Sequence, residues 1–287
     1  MENVTADPDQ ATLQLDLSQE ELLYVLSLAG VPTLPGLDDD ARTDLDEDQM
    51  ALLLAAGENG LRARGLLQDD PNAARGVSLW EGLLALVGTC VMAPRLAIVR
   101  FEPLGADAAS FLYYFEEDLT VEHASGGPGV HRFTGFVDHG TVLDRIAVLT
   151  SLPSAVTESD GESPSGGLSG SVRSSVLEQA RDIAVQDHKV AEAADRLRAG
   201  GVAPEVAEAL AGSLGRLEAV ATFAFLSRQG DEVESGGMVL LQEPQGLWLL
   251  EPGEQDDPLV ECLLAAPATV RSRLQAALGP ALGLENA

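Results

Sequence analysis

The sequence predicts an α+β chain of two pseudo-repeated modules, each an antiparallel meander of strands with flanking helices. Two observations carry that expectation. First, Leu61-Arg62-Ala63-Arg64-Gly65-Leu66 returns as Leu197-Arg198-Ala199-Gly200-Gly201-Val202, and Thr141-Val142 with Arg145-Ile146 returns as Thr269-Val270 with Arg273-Leu274. Second, between those markers each copy runs in one order: an apolar helical pattern, a strand, a Gly/Asp-rich loop, a strand pair and a closing helix. A chain of 287 residues, 45% hydrophobic, can bury one substantial core or two smaller ones. The expected organisation is an N-terminal module over 1–152, a flexible linker over 153–171 and a C-terminal module over 172–287.

The N-terminal module opens on alternation. Leu13, Leu15 and Leu17 share one face of a half-buried strand. Ser18, with Glu21 three positions on, forms a capping box, and Leu22, Leu23, Leu26 and Ala29 give the helix an apolar stripe that Gly30 and Pro32 stop. The acidic Asp38-Asp39-Asp40 reads as a solvated loop, since it lacks calcium-loop spacing. A second helix starts at Asp46 or Asp48 and runs to Gly65. Gly57 and Gly60 inside it predict a close helix approach or a break. Ser78 is the expected cap of a third helix built on Leu79, Leu83, Leu86, Val87 and Cys90 and ended by Pro94. Four strand-like runs follow, Leu96–Glu102, Ser110–Glu116, Leu119–His123 and Val130–Val137, then helical periodicity over 138–152.

Residues 153–171 are rich in Ser, Gly, Glu and Pro without an aromatic, the composition of a linker. From Val172 through Val176, Ala180, Ile183, Val190 and Ala194 to Leu197, apolar positions predict one long helix. Pro204 suits the first position of the next helix. Strand patterns at 219–226, 238–242 and 247–251 repeat the meander, and 258–265 and 268–278 read as closing helices.

Charge narrows the function. With 17 basic and 46 acidic residues the net charge is −29. Such a surface repels phosphate backbones and anionic lipid, so neither nucleic acid nor a membrane is an expected partner. A winged-helix reading of the first helices fails for the same reason, because residues 79–92 carry no basic side chain. The N-terminus lacks signal-peptide features, and the longest apolar run, Leu83–Pro94, is too short to span a bilayer, so a cytoplasmic protein is expected. Cys90 and Cys262 sit in apolar helical patterns and read as reduced core residues.

No chemistry-bearing motif has usable spacing, so the expectation is no catalytic residue, no cofactor and no metal. His123, His131 and His139 recur eight apart, but compact zinc spacing is missing; they read as exposed hairpin histidines. Gly166-Gly167-Leu168-Ser169-Gly170 imitates a nucleophile elbow inside the linker, where nothing can preorganise it. Glu116, Glu117 and Asp118 read as a solvated turn, and Trp80 and Trp248 as core anchors, one per module. Phe111–Phe115 is apolar on both faces: it is either central in a covered sheet or presents one face to a partner. The candidate contact residues are Leu112 and Tyr114, on the face opposite Phe111, Tyr113 and Phe115.

The chain resembles the EspG family, the cytoplasmic chaperones of type VII (ESX) secretion. The resemblance rests on the Leu13-x-Leu15-x-Leu17 entry with Glu21-Leu22 and Leu34-Pro35, on Leu61-Arg62-Ala63-Arg64-Gly65-Leu66 ending a helix, and on the paired meander-plus-helix modules. It implies a central sheet flanked by helical bundles and a non-enzymatic role, keeping a PE–PPE-like helical heterodimer soluble before export. The alternative from the residues alone is an enzyme or small-molecule-binding protein with a pocket between the modules for a cationic ligand.

Overall fold

A computed structural model describes residues 13–34, 45–152, 167–186, 188–230, 232–244, 246–253 and 257–278. The N-terminal half runs β1 (Leu13–Ser18), α1 (Gln19–Ala29), α2 (Glu47–Ala63), β2 (Leu67–Asp69), β3 (Val77–Leu79), α3 (Glu81–Met92), β4 (Arg95–Pro103), β5 (Ala109–Phe115), β6 (Thr120–Gly127), β7 (Val130–Phe136) and α4 (His139–Leu149). The C-terminal half runs β8 (Ser169–Arg173), α5 (Ser174–Gln186), α6 (Val190–Ala199), α7 (Pro204–Leu214), β9 (Ala219–Gln229), β10 (Glu232–Glu243), β11 (Gly246–Pro252), β12 (Leu259–Ala265) and α8 (Pro267–Leu278). Apart from the small β2–β3 hairpin, one order of elements occurs twice.

One sheet of ten strands spans both halves in the order β1-β7-β6-β5-β4-β9-β10-β11-β12-β8. Its centre is the antiparallel pair β4–β9, in register from Arg95 opposite Ser227 to Pro103 opposite Ala219. In each half the strand that opens the chain order pairs with the last strand of the meander, β1 with β7 and β8 with β12.

The chain marker is a helix cap. At the end of α2, Gly65 (φ 71°) turns left-handed, its N–H donates to the Arg62 carbonyl, and the Leu66 N–H donates to the Leu61 carbonyl. At the end of α6, Gly201 (φ 94°) makes the same pair of bonds, Gly201 to Arg198 and Val202 to Leu197. Both are Schellman caps, with an apolar contact between the residues joined by the outer bond. Leu61 and Leu197 are each fully buried. The capping box at the start of α1 is present as expected, Ser18 accepting from the Glu21 N–H and Glu21 from the Ser18 N–H.

Side-chain alternation splits the core into layers. On one face, Ala97, Val99, Tyr113, Phe115, Ala221, Phe223 and Leu240 pack beneath α4 and α8 in a single cluster shared by both halves. The other face is divided. Leu96, Leu112, Tyr114, Val121 and Phe133 pack with α1, α2 and α3, while Leu241, Trp248, Leu250, Val260 and Cys262 pack with α5, α6 and α7. A polar tie also crosses the halves: the Gln242 side-chain amide donates to the Thr150 carbonyl at the end of α4 (2.7 Å).

Several sequence expectations are corrected. The long helix over 172–197 is a strand and two helices. Val172 pairs with Val260, the Ser175 N–H donates to the Asp257 carboxylate at 3.0 Å as α5 begins, and His188 turns left-handed (φ 54°) between α5 and α6. The closing helix expected over 258–265 is instead the strand β12, Leu259–Ala265, with Val260, Cys262 and Ala265 buried and Leu259 and Glu261 exposed; a run this short does not by itself separate helix from strand. Ser78 is not the cap of α3, since it lies in β3 and Trp80 takes that position. The linker expected over 153–171 falls mostly outside the described residues, and its last residues, 169–171, belong to β8.

Candidate partner-binding surface

Among the described residues, the divided face leaves part of the sheet without a helix. Along β4 and β9, residues pointing toward α4 and α8 are sealed, Ala97, Val99 and Ala221 at 0% exposure and Phe223 at 1%. Their neighbours on the opposite face, Ile98, Arg100, Thr222 and Ala224, are half-buried or exposed. Ile98 stands opposite Ala224 and Arg100 opposite Thr222, so these residues form the floor of a strip between the two helix groups. Arg100 pairs with Glu102 at 2.6 Å along the strip, and Ser110 of β5 lies beside Arg100. A floor that mixes apolar Ile98 and Ala224 with polar Thr222 and Ser110 and one charged pair has the composition of a protein-binding surface.

Leu112 and Tyr114 do not form that surface. They are 7% and 1% exposed and pack with Leu86 and Cys90 of α3, and burial pushes the Tyr114 hydroxyl well above its usual pKa. Tyr113 and Phe115, on the opposite face, are equally buried. The strand is therefore covered on both sides, and neither set is available as an exposed patch. Tyr113 also donates to Glu122 (2.7 Å), which Arg145 grips with two bonds of 3.0 and 3.1 Å. Trp248 is a core anchor, fully buried with its indole N–H on Ser213 (2.9 Å). Trp80 is not; it is 43% exposed, its ring folded over Gly82.

His123 and His131 differ from expectation too. His123 is 3% exposed and stacks on Phe133 with centroids 4.6 Å apart. Its Nε2 lies 2.9 Å from His131 Nδ1, and His131 Nε2 lies 2.5 Å from Gln19 Oε1. Because the Gln19 oxygen can only accept, His131 carries its proton on Nε2, and His123 donates from Nε2. That leaves His123 Nδ1 as a buried acceptor with no partner. Burial, reinforced by His131, pushes the His123 pKa down to about 3; burial also lowers that of His131. A recess of about 200 Å³ beside them is lined by Ser110, Leu112, Ser125 and Val130 as well. Among the described residues no group of three His, Cys, Asp or Glu side chains is placed to hold a metal. Ser169 sits in edge strand β8, and Glu116 to Asp118 form the β5–β6 turn, where the Glu116 N–H donates to the Leu119 carbonyl.

No protein-family model matches this chain, and no curated protein matches it. A solved structure does. Over 93% of this chain and 96% of the other, the fold superposes on EspG5, the type VII secretion system chaperone of Mycobacterium tuberculosis, determined in complex with the PE25–PPE41 dimer. The TM-score is 0.61 at 11% sequence identity, a likeness of fold. Two structures of HtdX from the same organism, 14% and 13% identical over 88% and 90% of this chain, give TM-scores of 0.14. Among the described residues no helix is long and apolar enough to cross a membrane.

Proposed function

We propose that this chain is a non-enzymatic cytoplasmic chaperone or adaptor that holds a helical secretion substrate, a PE–PPE-like pair, in solution. The observation that carries the reading is the extent of the fold likeness. Nearly the whole of both chains is covered, and EspG5 was determined bound to PE25–PPE41. The surface we assign to the partner is the strip of Ile98, Arg100, Thr222 and Ala224, where among the described residues no helix covers this face of the ten-stranded sheet. The small-molecule alternative gains nothing from the recess beside His123. That recess lies within the N-terminal half, not between the halves, and among the described residues no Asp or Glu lines it to receive a cation.

Co-expression with candidate PE–PPE pairs followed by gel filtration tests the reading. A ternary complex is expected. Joint replacement Thr222→Arg and Ala224→Arg should remove it while leaving the thermal transition within a few degrees, because both side chains are already partly solvated. A complex that survives the double replacement removes the strip from the proposal, and failure with every pair offered removes the function.

A further inference from the structure

β10 is longer than the strand that covers it. It pairs with β9 along nearly its whole length, from Glu232 opposite Gln229 to Gln242 opposite Ala219, whereas β11 pairs only with Val239–Glu243. Pro252 ends β11, and extending the ladder two residues past Leu250 would set it opposite Gly237, where it has no N–H to give. Among the described residues, no strand pairs with the outer edge of β10 from Val233 to Gly237. Glu232 through Gly236 are exposed, Val233 at 65%.

Hairpin geometry tells which backbone groups face outward. Gln229 with Glu232, and Glu243 with Gly246, close two-residue turns, and such closing pairs exchange both their N–H···O bonds. Glu232 therefore aims its backbone groups at β9, and Glu243 aims its own at β11. Alternation along the strand then turns Val233, Ser235 and Gly237 outward. The Glu218 N–H, which donates to the Gln242 carbonyl on the β9 side (2.8 Å), fits the same parity. Three residues thus offer N–H and C=O groups to whatever lies alongside.

Charge selects the occupant. Glu232 and Glu234 share the face of Met238 and Leu240, while Val233 shares the face of Val239 and Leu241. A strand laid on this edge would meet two carboxylates on one face and small or apolar groups on the other. A second copy fits badly, since each carries a net charge of −29 and brings the same two glutamates. We propose that the outer edge of β10, Val233 to Gly237, is a strand-addition site for an extended segment of another protein that alternates basic with small apolar residues. The inference is independent of the chaperone reading, because it rests on the ladder and not on the strip. Ser235, Gly236 and Gly237 give little side-chain specificity, so backbone bonds carry the affinity and charge carries the choice. Acidic side chains on an edge also serve to keep strands away.

The test uses the full chain and a capped heptapeptide of alternating lysine and valine. Binding is read by fluorescence anisotropy and by hydrogen exchange at individual amides. Exchange should slow at Val233, Ser235 and Gly237. Ser235→Pro, which removes one outward N–H, should weaken binding about tenfold, while Ser235→Ala binds as the unaltered chain does. A peptide with proline replacing its central valine needs no change to the protein, and it should also bind about tenfold more weakly. Equal binding of the proline peptide, or slowed exchange only elsewhere, would mean that lysine is merely attracted to an acidic surface. Failure of the lysine–valine peptide to bind would mean that the glutamates guard the edge. Either outcome overturns the proposal.

Discussion

The helix groups over the two halves share a cap but not a manner of packing. In the C-terminal group small residues let three helices close together. Ala180, Ala184, Ala193, Ala194, Ala207 and Ala211 are all buried, and α7 buries Val206, Leu210 and Leu214 against the sheet. In the N-terminal group α1 and α2 meet at Gly57, where a Cβ would stand 2.1 Å from the Glu20 carbonyl oxygen, while Leu52, Leu84 and Met92 stay exposed. The shared cap differs for the same reason. Arg64, just before the left-handed Gly65, reaches Glu21 at 2.7 Å. Its counterpart is Gly200, where a Cβ would lie 2.6 Å from Val176 of α5. The closer approach of α5 leaves no room for the arginine. One local motif thus serves two environments, and the neighbours decide which side chain it carries.

The strongest way to break the comparison is at the tryptophans. Trp248→Ala removes a fully buried ring and its bond to Ser213, and should cost about 4 kcal/mol in urea denaturation. Trp80→Ala should cost less, about 1 kcal/mol, since the ring is 43% exposed and lies over Gly82. Equal costs would show that the ring of Trp80 is as structural as that of Trp248. Next come the glycines of the N-terminal helices. Gly57→Ala should destabilise by about 2 to 3 kcal/mol by forcing α1 and α2 apart. Gly88→Ala, in a helix with nothing within 4 Å of the new methyl, should stabilise by about 0.5 to 1 kcal/mol.

A pH titration sharpens the contrast, because the buried histidine pair belongs to the N-terminal half alone. His123 titrates near 3 in the fold against 6.5 in its ordinary state, so below pH 6.5 the unfolded chain binds a proton that the folded chain refuses. Its contribution is full above pH 6.5 and is lost as pH falls toward 3, about 2 kcal/mol by pH 5. His123→Gln should flatten the stability profile between pH 7 and 5 by about that amount, and an unchanged slope would rule out this linkage. The smallest effect compares the caps. Gly65→Ala and Gly201→Ala should each cost about 1 kcal/mol, since both glycines sit at positive φ with open space around the missing Cβ. Unequal costs would show that the shared hydrogen bonds do not make the caps energetically equivalent.

Much of the chain was legible in local signals. The meander of β4 to β7 follows from alternation and turn residues, and α1 from its capping box. The repeated run names its own cap because a Schellman ending needs a glycine and two apolar residues at set places, all close in sequence. What failed had distant causes. Cys262 and its neighbours became β12 because β11 and β8 pair on either side of them. The helix from Val172 gave way to a strand because β12 offered an edge. Leu112 and Tyr114 were readable as one face of a strand, but whether that face met solvent depended on α3, which packs across it.

The candidate surface shows the same division. Composition alone decided the net charge of −29. Period and capping decided which residues share a face, since those interactions close within a few residues. Which faces are buried, where the sheet is left open between the helix groups, and why β10 outruns β11 are decided only when strands far apart in sequence meet. Burial is a property of pairs of elements, and β4 can seal Val99 yet leave Arg100 exposed because α4 and α8 cover one side of the central strands while, among the described residues, no helix covers the other.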